Sequence, residues 1–161
     1  MKEKNITITV FEYDSIRELS KEEQVLVKKS EEVVKNAYAP YSKFQVGAAV
    51  LLENGEIITG TNQENAAYPS GLCAERVAIF YANSKYPDVP VKAIAVTAFT
   101  NNDFVKTPVS PCGSCRQVLN ESETRFKKPI KILLVSKSKV TVINNTKDLL
   151  PLNFDESSLI N

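Results

Sequence analysis

The chain contains no histidine, and only three cysteines, in 161 residues. Without imidazole, no Ser-His-Asp triad, Cys-His dyad or histidine-bound metal can be assembled. An odd cysteine count argues against a closed disulfide framework. An excess of either charge is missing too: 20 basic residues face 19 acidic ones, for a formal net charge of +1. The clustered basic surplus of a phosphate-backbone binder is therefore absent, and no nucleic-acid partner is expected. There is no run of apolar residues long enough to span a bilayer, so no membrane association is expected. Residues 1–5 lack the apolar centre of a secretory signal, so a cytoplasmic location is expected. What is present is 43% hydrophobic and 24% charged residues, the balance of an ordinary globular chain, at a length that suits one core.

Periodicity divides the chain into alternating elements. Residues 6–13 partly alternate and carry β-branched side chains, which fits an edge strand or an ordered arm. Ser20 and Glu23 have the spacing of a capping box. Behind them Leu26, Ser30, Val33 and Ala37 share one helical face, predicting a helix that ends near Tyr38, before Pro40. Residues 46–52 are almost continuously apolar, as in a strand buried on both faces. Asn54-Gly55 supplies a hairpin turn, with a return strand at 57–59. A loop follows over 60–71, then a helix over 72–86, a strand over 91–99 and a polar loop over 100–109. Ser110 as N-cap with Pro111 at the first helical position predicts a helix to 126. Strands at 130–135 and 140–143 complete the pattern. The order implies an α/β fold: a three-layer α/β/α sandwich around one mixed, five-stranded sheet.

All three cysteines fall at predicted helix starts, where the helix dipole favours thiolate over thiol. Cys73 stands in Cys73-Ala74-Glu75-Arg76, and the other two in Pro111-Cys112-Gly113-Ser114-Cys115. Cys112 and Cys115, three apart, face the same side of one turn. Taken alone, that pair fits a redox motif or half of a zinc ribbon equally well. A ribbon needs a second pair, and a redox motif leaves Cys73-Ala74-Glu75 without a reason. If the two helix starts converge, three sulfurs can hold zinc and leave its fourth position open, the pattern of catalytic sites. Water bound there loses its proton near neutral pH. Glu75 is then placed to carry that proton, and Arg76 to offset the negative charge of three thiolates.

Cys73-Ala74-Glu75 followed by Pro111-Cys112-Gly113-Ser114-Cys115-Arg116-Gln117 resembles the zinc-deaminase signature. Further similarity runs through residues 41–49, residues 62–69 and the C-terminal Leu149-Leu150-Pro151 with Phe154, in the same order. The chain resembles small homotetrameric cytidine deaminases of the three-cysteine type. That resemblance implies hydrolytic deamination of cytidine and 2′-deoxycytidine to uridine and 2′-deoxyuridine, with release of ammonia, in pyrimidine salvage. It implies one zinc ion per subunit on Cys73, Cys112 and Cys115. Attack on C4 would come from zinc-bound hydroxide, with Glu75 as proton shuttle. It implies nucleoside contacts from Phe44 (against the pyrimidine), Asn62 and Glu64 (to the ribose 3′-hydroxyl), Asn65, Ala66, Tyr68 and the Ala74 backbone. Phe154 would reach a neighbouring subunit's site. The catalytic domain would span 20–161, with residues 1–19 as an N-terminal extension. Residues 100–110 form a longer loop than compact members of the family have. A related deaminase acting on a nucleoside antibiotic of the blasticidin S type is the alternative, against which the Phe44 and Asn62–Glu64 segments weigh.

Overall fold

The capping box at the start of the first helix forms as its residues dictate. In a computed structural model of the chain, which describes residues 1–159, the Ser20 hydroxyl accepts from the Glu23 amide at 3.3 Å. The Glu23 carboxylate accepts from the Ser20 amide at 2.9 Å. Helix α1 (Lys21–Val33) follows and ends in a 3₁₀ turn over Val34–Asn36, before Pro40. Its inner face is Leu26, Val27 and Ser30. Ser30 gives its hydroxyl proton to the Val27 carbonyl at 2.7 Å. It therefore accepts from Thr97, whose hydroxyl lies 2.6 Å away on the sheet. A polar residue on an apolar stripe is thereby satisfied in the core.

The remaining elements are β1 (Phe11–Tyr13), β2 (Gln45–Leu52), β3 (Ile57–Thr61), α2 (Ala74–Lys85), β4 (Val91–Thr100), β5 (Asp103–Phe104), α3 (Gly113–Phe126), β6 (Lys131–Val135) and β7 (Val140–Ile143). Six strands lie in the order β1-β7-β6-β4-β2-β3, and β5 pairs with β4. Only β4 and β6 run parallel among the described pairs; the crossover between them is α3. Alternate residues of the central strands serve two cores. Ala48, Val50, Ile94, Ile132 and Leu134 pack under α2 and α3, against Ile79 and Leu119. Ala49, Leu51, Ala95 and Leu133 pack on the other face, against Leu26 and Val27 of α1. These are the three expected layers. Gly60 allows α2 to lie directly on β3: a Cβ there would sit 2.6 Å from the Ala78 amide nitrogen and 2.7 Å from the Ala74 carbonyl oxygen.

The sheet has seven strands where the periodicity predicts five. One addition is β1, whose Phe11 faces Val142 on the sheet's edge, while residues 6–10 remain exposed and outside any strand. The other is β5, inside the segment expected as loop. Asn101 and Asn102 adopt φ of 52° and 60°, the paired left-handed conformation of a two-residue hairpin turn. The short return strand then packs Phe104 edge-on to Phe99, with ring centroids 5.4 Å apart. Positions 160 and 161 of the expected domain lie outside the described residues.

Candidate metal centre

Two helix starts on the same side of the sheet bring the three cysteines together. Cys73 is the N-cap of α2, with extended backbone, so its side chain departs from the helix before the helix begins. Glu75, inside the first turn, is free to point elsewhere. A spacing of two residues thus sends the Cys73 thiol and the Glu75 carboxyl along different paths. Cys112 is likewise the extended N-cap of α3, and Cys115 lies within the first turn. The helix therefore starts at Gly113 and not at the expected Ser110–Pro111. A local side-chain bond competes with the helix start: Arg116 Nε donates to the Pro111 carbonyl at 2.8 Å, while Cys112 stays extended.

Cys73 Sγ lies 3.8 Å from Cys112 Sγ, and Cys112 Sγ lies 3.5 Å from Cys115 Sγ. All three sulfurs fall within 4.8 Å of one another. Tetrahedral zinc with bonds of about 2.3 Å needs sulfurs about 3.8 Å apart, so the set fits that ion. Among the described residues no fourth histidine, cysteine or carboxylate joins this cluster. Hydrogen bonding with Cys115, then with Arg76 and Cys112, draws the Cys73 thiol down to about 5 despite its partial burial. Cys115 is shifted the opposite way: its bond to Cys73, its burial and the nearby Glu75 charge hold its proton on. Arg76 Nη2 approaches Cys73 Sγ at 3.7 Å, where it can offset thiolate charge.

Glu75 is 5% exposed. Burial raises its carboxyl above the usual range, and the Cys73 thiolate adds to the shift. A cleft of about 540 Å³ opens beside the cluster, lined by Cys73 and Arg76 and by Tyr41, Ser42, Leu72 and residues 62–65. Tyr68 also lines it. That volume suits a small ligand. Asn62, Glu64, Asn65 and Tyr68 thus stand where the sequence puts a ligand-facing loop. Glu64 accepts from the Tyr41 and Ser42 amides at 2.8 and 3.3 Å. Hydrogen bonding with Ser42 leads the effects that lower its carboxyl pKa. The Asn62 amide bridges two backbone groups, accepting from Val46 N at 2.7 Å and donating to the Phe44 carbonyl at 2.9 Å. Phe44 is half-buried, Ala66 is exposed and Ala74 is fully buried at the first position of α2. These three do not line the cleft, and neither does Phe154, which is 57% exposed. Tyr41 and Ser42 fall in the similar segment 41–49, but the resemblance gives them no ligand-facing role, and Leu72 belongs to no motif. Only the loop's fold brings them to the wall.

The sequence profile of the family described as "Cytidine and deoxycytidylate deaminase zinc-binding region" matches residues 20–128. A cytidine deaminase of Halalkalibacterium halodurans is 50% identical over 98 residues, which cover 61% of this chain and 70% of that protein. The crystal structure of a cytidine deaminase from Burkholderia pseudomallei superposes with a TM-score of 0.70 at 38% identity, covering 81% of this chain and 97% of that one. A cytidine deaminase structure from Mycobacterium tuberculosis gives a TM-score of 0.64 at 31% identity, covering 81% and 95%.

Proposed function

This chain belongs to the cytidine and deoxycytidylate deaminase zinc-binding family, and from that membership we propose that it hydrolyses free cytidine and 2′-deoxycytidine. Nucleoside and water give uridine or 2′-deoxyuridine and ammonia. The observation that carries the reading is the trio of sulfurs, 3.5 and 3.8 Å apart, beside a buried carboxyl and an open cleft. The family's described region is a zinc-binding one, and the donor set accepts one zinc ion per chain. Cys73, Cys112 and Cys115 would hold that ion, and it would supply a bound water made acidic near neutral pH.

With the metal held by Cys73, Cys112 and Cys115, Glu75 would take one proton from the attacking water and pass it to the base N3, then take the second from the oxygen now on C4 and pass it to the departing amine. Burial raises the Glu75 carboxyl above the ordinary range, which makes its carboxylate a stronger base towards those protons. Arg76 lowers the negative charge that three sulfurs would otherwise place on the metal. Phe44 packs against the pyrimidine, Asn62 and Glu64 read the ribose, and Asn65, Ala66, Tyr68 and the Ala74 backbone complete the contacts. Asn62 supports this reading by fixing the backbone on both sides of Gln45, and with it the placement of Phe44.

We infer further that the chain acts as a homotetramer, in which Phe154 serves a neighbour's cleft. Its exposure and its place outside its own cleft support that arrangement, as do the exposed Phe80 and Tyr81 on α2. The catalytic unit is residues 20–161, with 1–19 as an extension. No described helix is long and apolar enough to cross a membrane, and the near-zero net charge favours a free nucleoside over a nucleic acid.

Ultraviolet absorbance assays on cytidine, 2′-deoxycytidine and blasticidin S test the reaction. Turnover of the first two, by protein eluting at about four times the 17.9 kDa chain mass, is the expected result. Turnover of the antibiotic alone would refute the substrate assignment.

A further inference from the structure

Arg116 lies one residue past a metal ligand, yet its guanidinium turns away from the sulfurs. Nε donates to the Pro111 carbonyl at 2.8 Å, and Nη1 donates to the Leu149 carbonyl at 2.8 Å. One planar group thus joins the extended residue before Cys112 to the start of the C-terminal segment. Its neighbour Gln117 donates from Nε2 to the Phe154 carbonyl at 2.9 Å. One turn further on, the fully buried Asn120 accepts from Asn153 Nδ2 at 3.0 Å. Asn153 Nδ2 also lies 3.1 Å from Asp155 Oδ2. Three positions on one side of α3 therefore grip the segment at 149, 153 and 154. In each bond the segment is held through its backbone or by a side-chain amide, so its path is fixed while the Phe154 ring stays exposed.

We propose that Arg116, Gln117 and Asn120 form a clamp that locks the C-terminal strap, residues 149–155, to the turn bearing Cys112 and Cys115. Arg116 is its positioning residue. The clamp has two consequences, and the second rests on the deaminase reading above. First, the Pro111 carbonyl has its place fixed by Arg116, so Cys112 is preorganised ahead of the helix; metal affinity then depends on a residue that does not touch the metal. Second, the direction in which Phe154 is presented depends on Gln117. Lysine cannot replace Arg116, because an ammonium is a point donor and the two carbonyls lie along different arms of one rigid fork.

The test compares Arg116→Met, Arg116→Lys and Gln117→Leu with the parent protein. Zinc affinity is read by competition with a chromogenic chelator, and strap protection by amide hydrogen exchange over 149–155. Neither needs turnover, so both stand or fall apart from the deaminase reading. Arg116→Met is expected to weaken zinc binding about 10–100-fold and to speed exchange along the whole strap. Arg116→Lys is expected to fold and to recover only part of the affinity, which decides the matter if the methionine variant does not fold. Gln117→Leu is expected to speed exchange at 153–155 alone. On zinc-saturated enzyme it should raise KM for cytidine several-fold at nearly constant kcat. Parental zinc affinity and strap protection in Arg116→Met, or full recovery by lysine, would overturn the clamp. Unchanged KM in Gln117→Leu, with the strap loosened and cytidine still turned over, would overturn its link to Phe154.

Discussion

Replacing Glu75 by glutamine is expected to lower cytidine turnover by about 10²–10⁴-fold while leaving the fold and the metal in place. Glutamine matches the side chain in shape but cannot accept or return a proton. A steady-state kcat on zinc-loaded variant, beside its zinc content, gives the result. A near-parental rate would remove Glu75 from the mechanism. The same variant carries a second expectation, for the metal-free protein. Burial raises the folded-state pKa of Glu75 above its ordinary value near 4.5. Below that value the group is neutral in both states and makes no difference. Above it the unfolded chain ionises first, so stability falls with pH until the folded carboxyl ionises too. Glutamine has no such loss. Metal-free Glu75→Gln should therefore melt higher than metal-free parent at neutral pH, and the gap should close towards pH 4. A gap that widens on acidification would contradict the sign.

Removing a sulfur is expected to have the other large effect. Cys115→Ser deletes the most deeply buried of the three ligands, 1% exposed under the start of α3. Changes beside a metal site cost about 10–100-fold in affinity, and losing a ligand itself should cost more. Turnover should vanish with the metal. Because a ligand that binds only the folded state stabilises it, zinc should raise the melting temperature of the parent and have little effect on the variant. Calorimetry with and without zinc checks this; parental stabilisation of Cys115→Ser by zinc would mean that the sulfur is not a ligand.

The parts of this protein that were legible in its sequence are those governed by local repetition or by local chemistry. The face shared by Leu26 and Ser30, the apolar run of β2 and the Asn54-Gly55 turn each signal their element without reference to the rest of the chain. The three cysteines were legible as a set for another reason. All three sulfur donors sit at helix starts, and those starts converge.

What was not legible depends on particular side-chain contacts that leave no periodic mark. Ser110-Pro111 has every local mark of a helix start, but Arg116 donates to the Pro111 carbonyl, Cys112 stays extended and the helix starts at Gly113. β5 is two residues long, too short for any period, and exists because Asn101 and Asn102 both turn left-handed and Phe104 meets Phe99. Asn62 reads as a ligand-facing loop residue, but its amide also ties Phe44 to Val46, a bond visible only once β2 and the loop are side by side. The Arg116–Gln117 grip on the C-terminal strap joins residues more than 30 positions apart.

Zinc-edge X-ray absorption on the purified, catalytically active protein examines the centre itself. Three sulfur neighbours at about 2.3 Å and one lighter neighbour at about 2.0 Å, on one zinc per chain, is the result expected of three cysteines with a solvent position. Four sulfurs, or a coordination shell without sulfur, would contradict it.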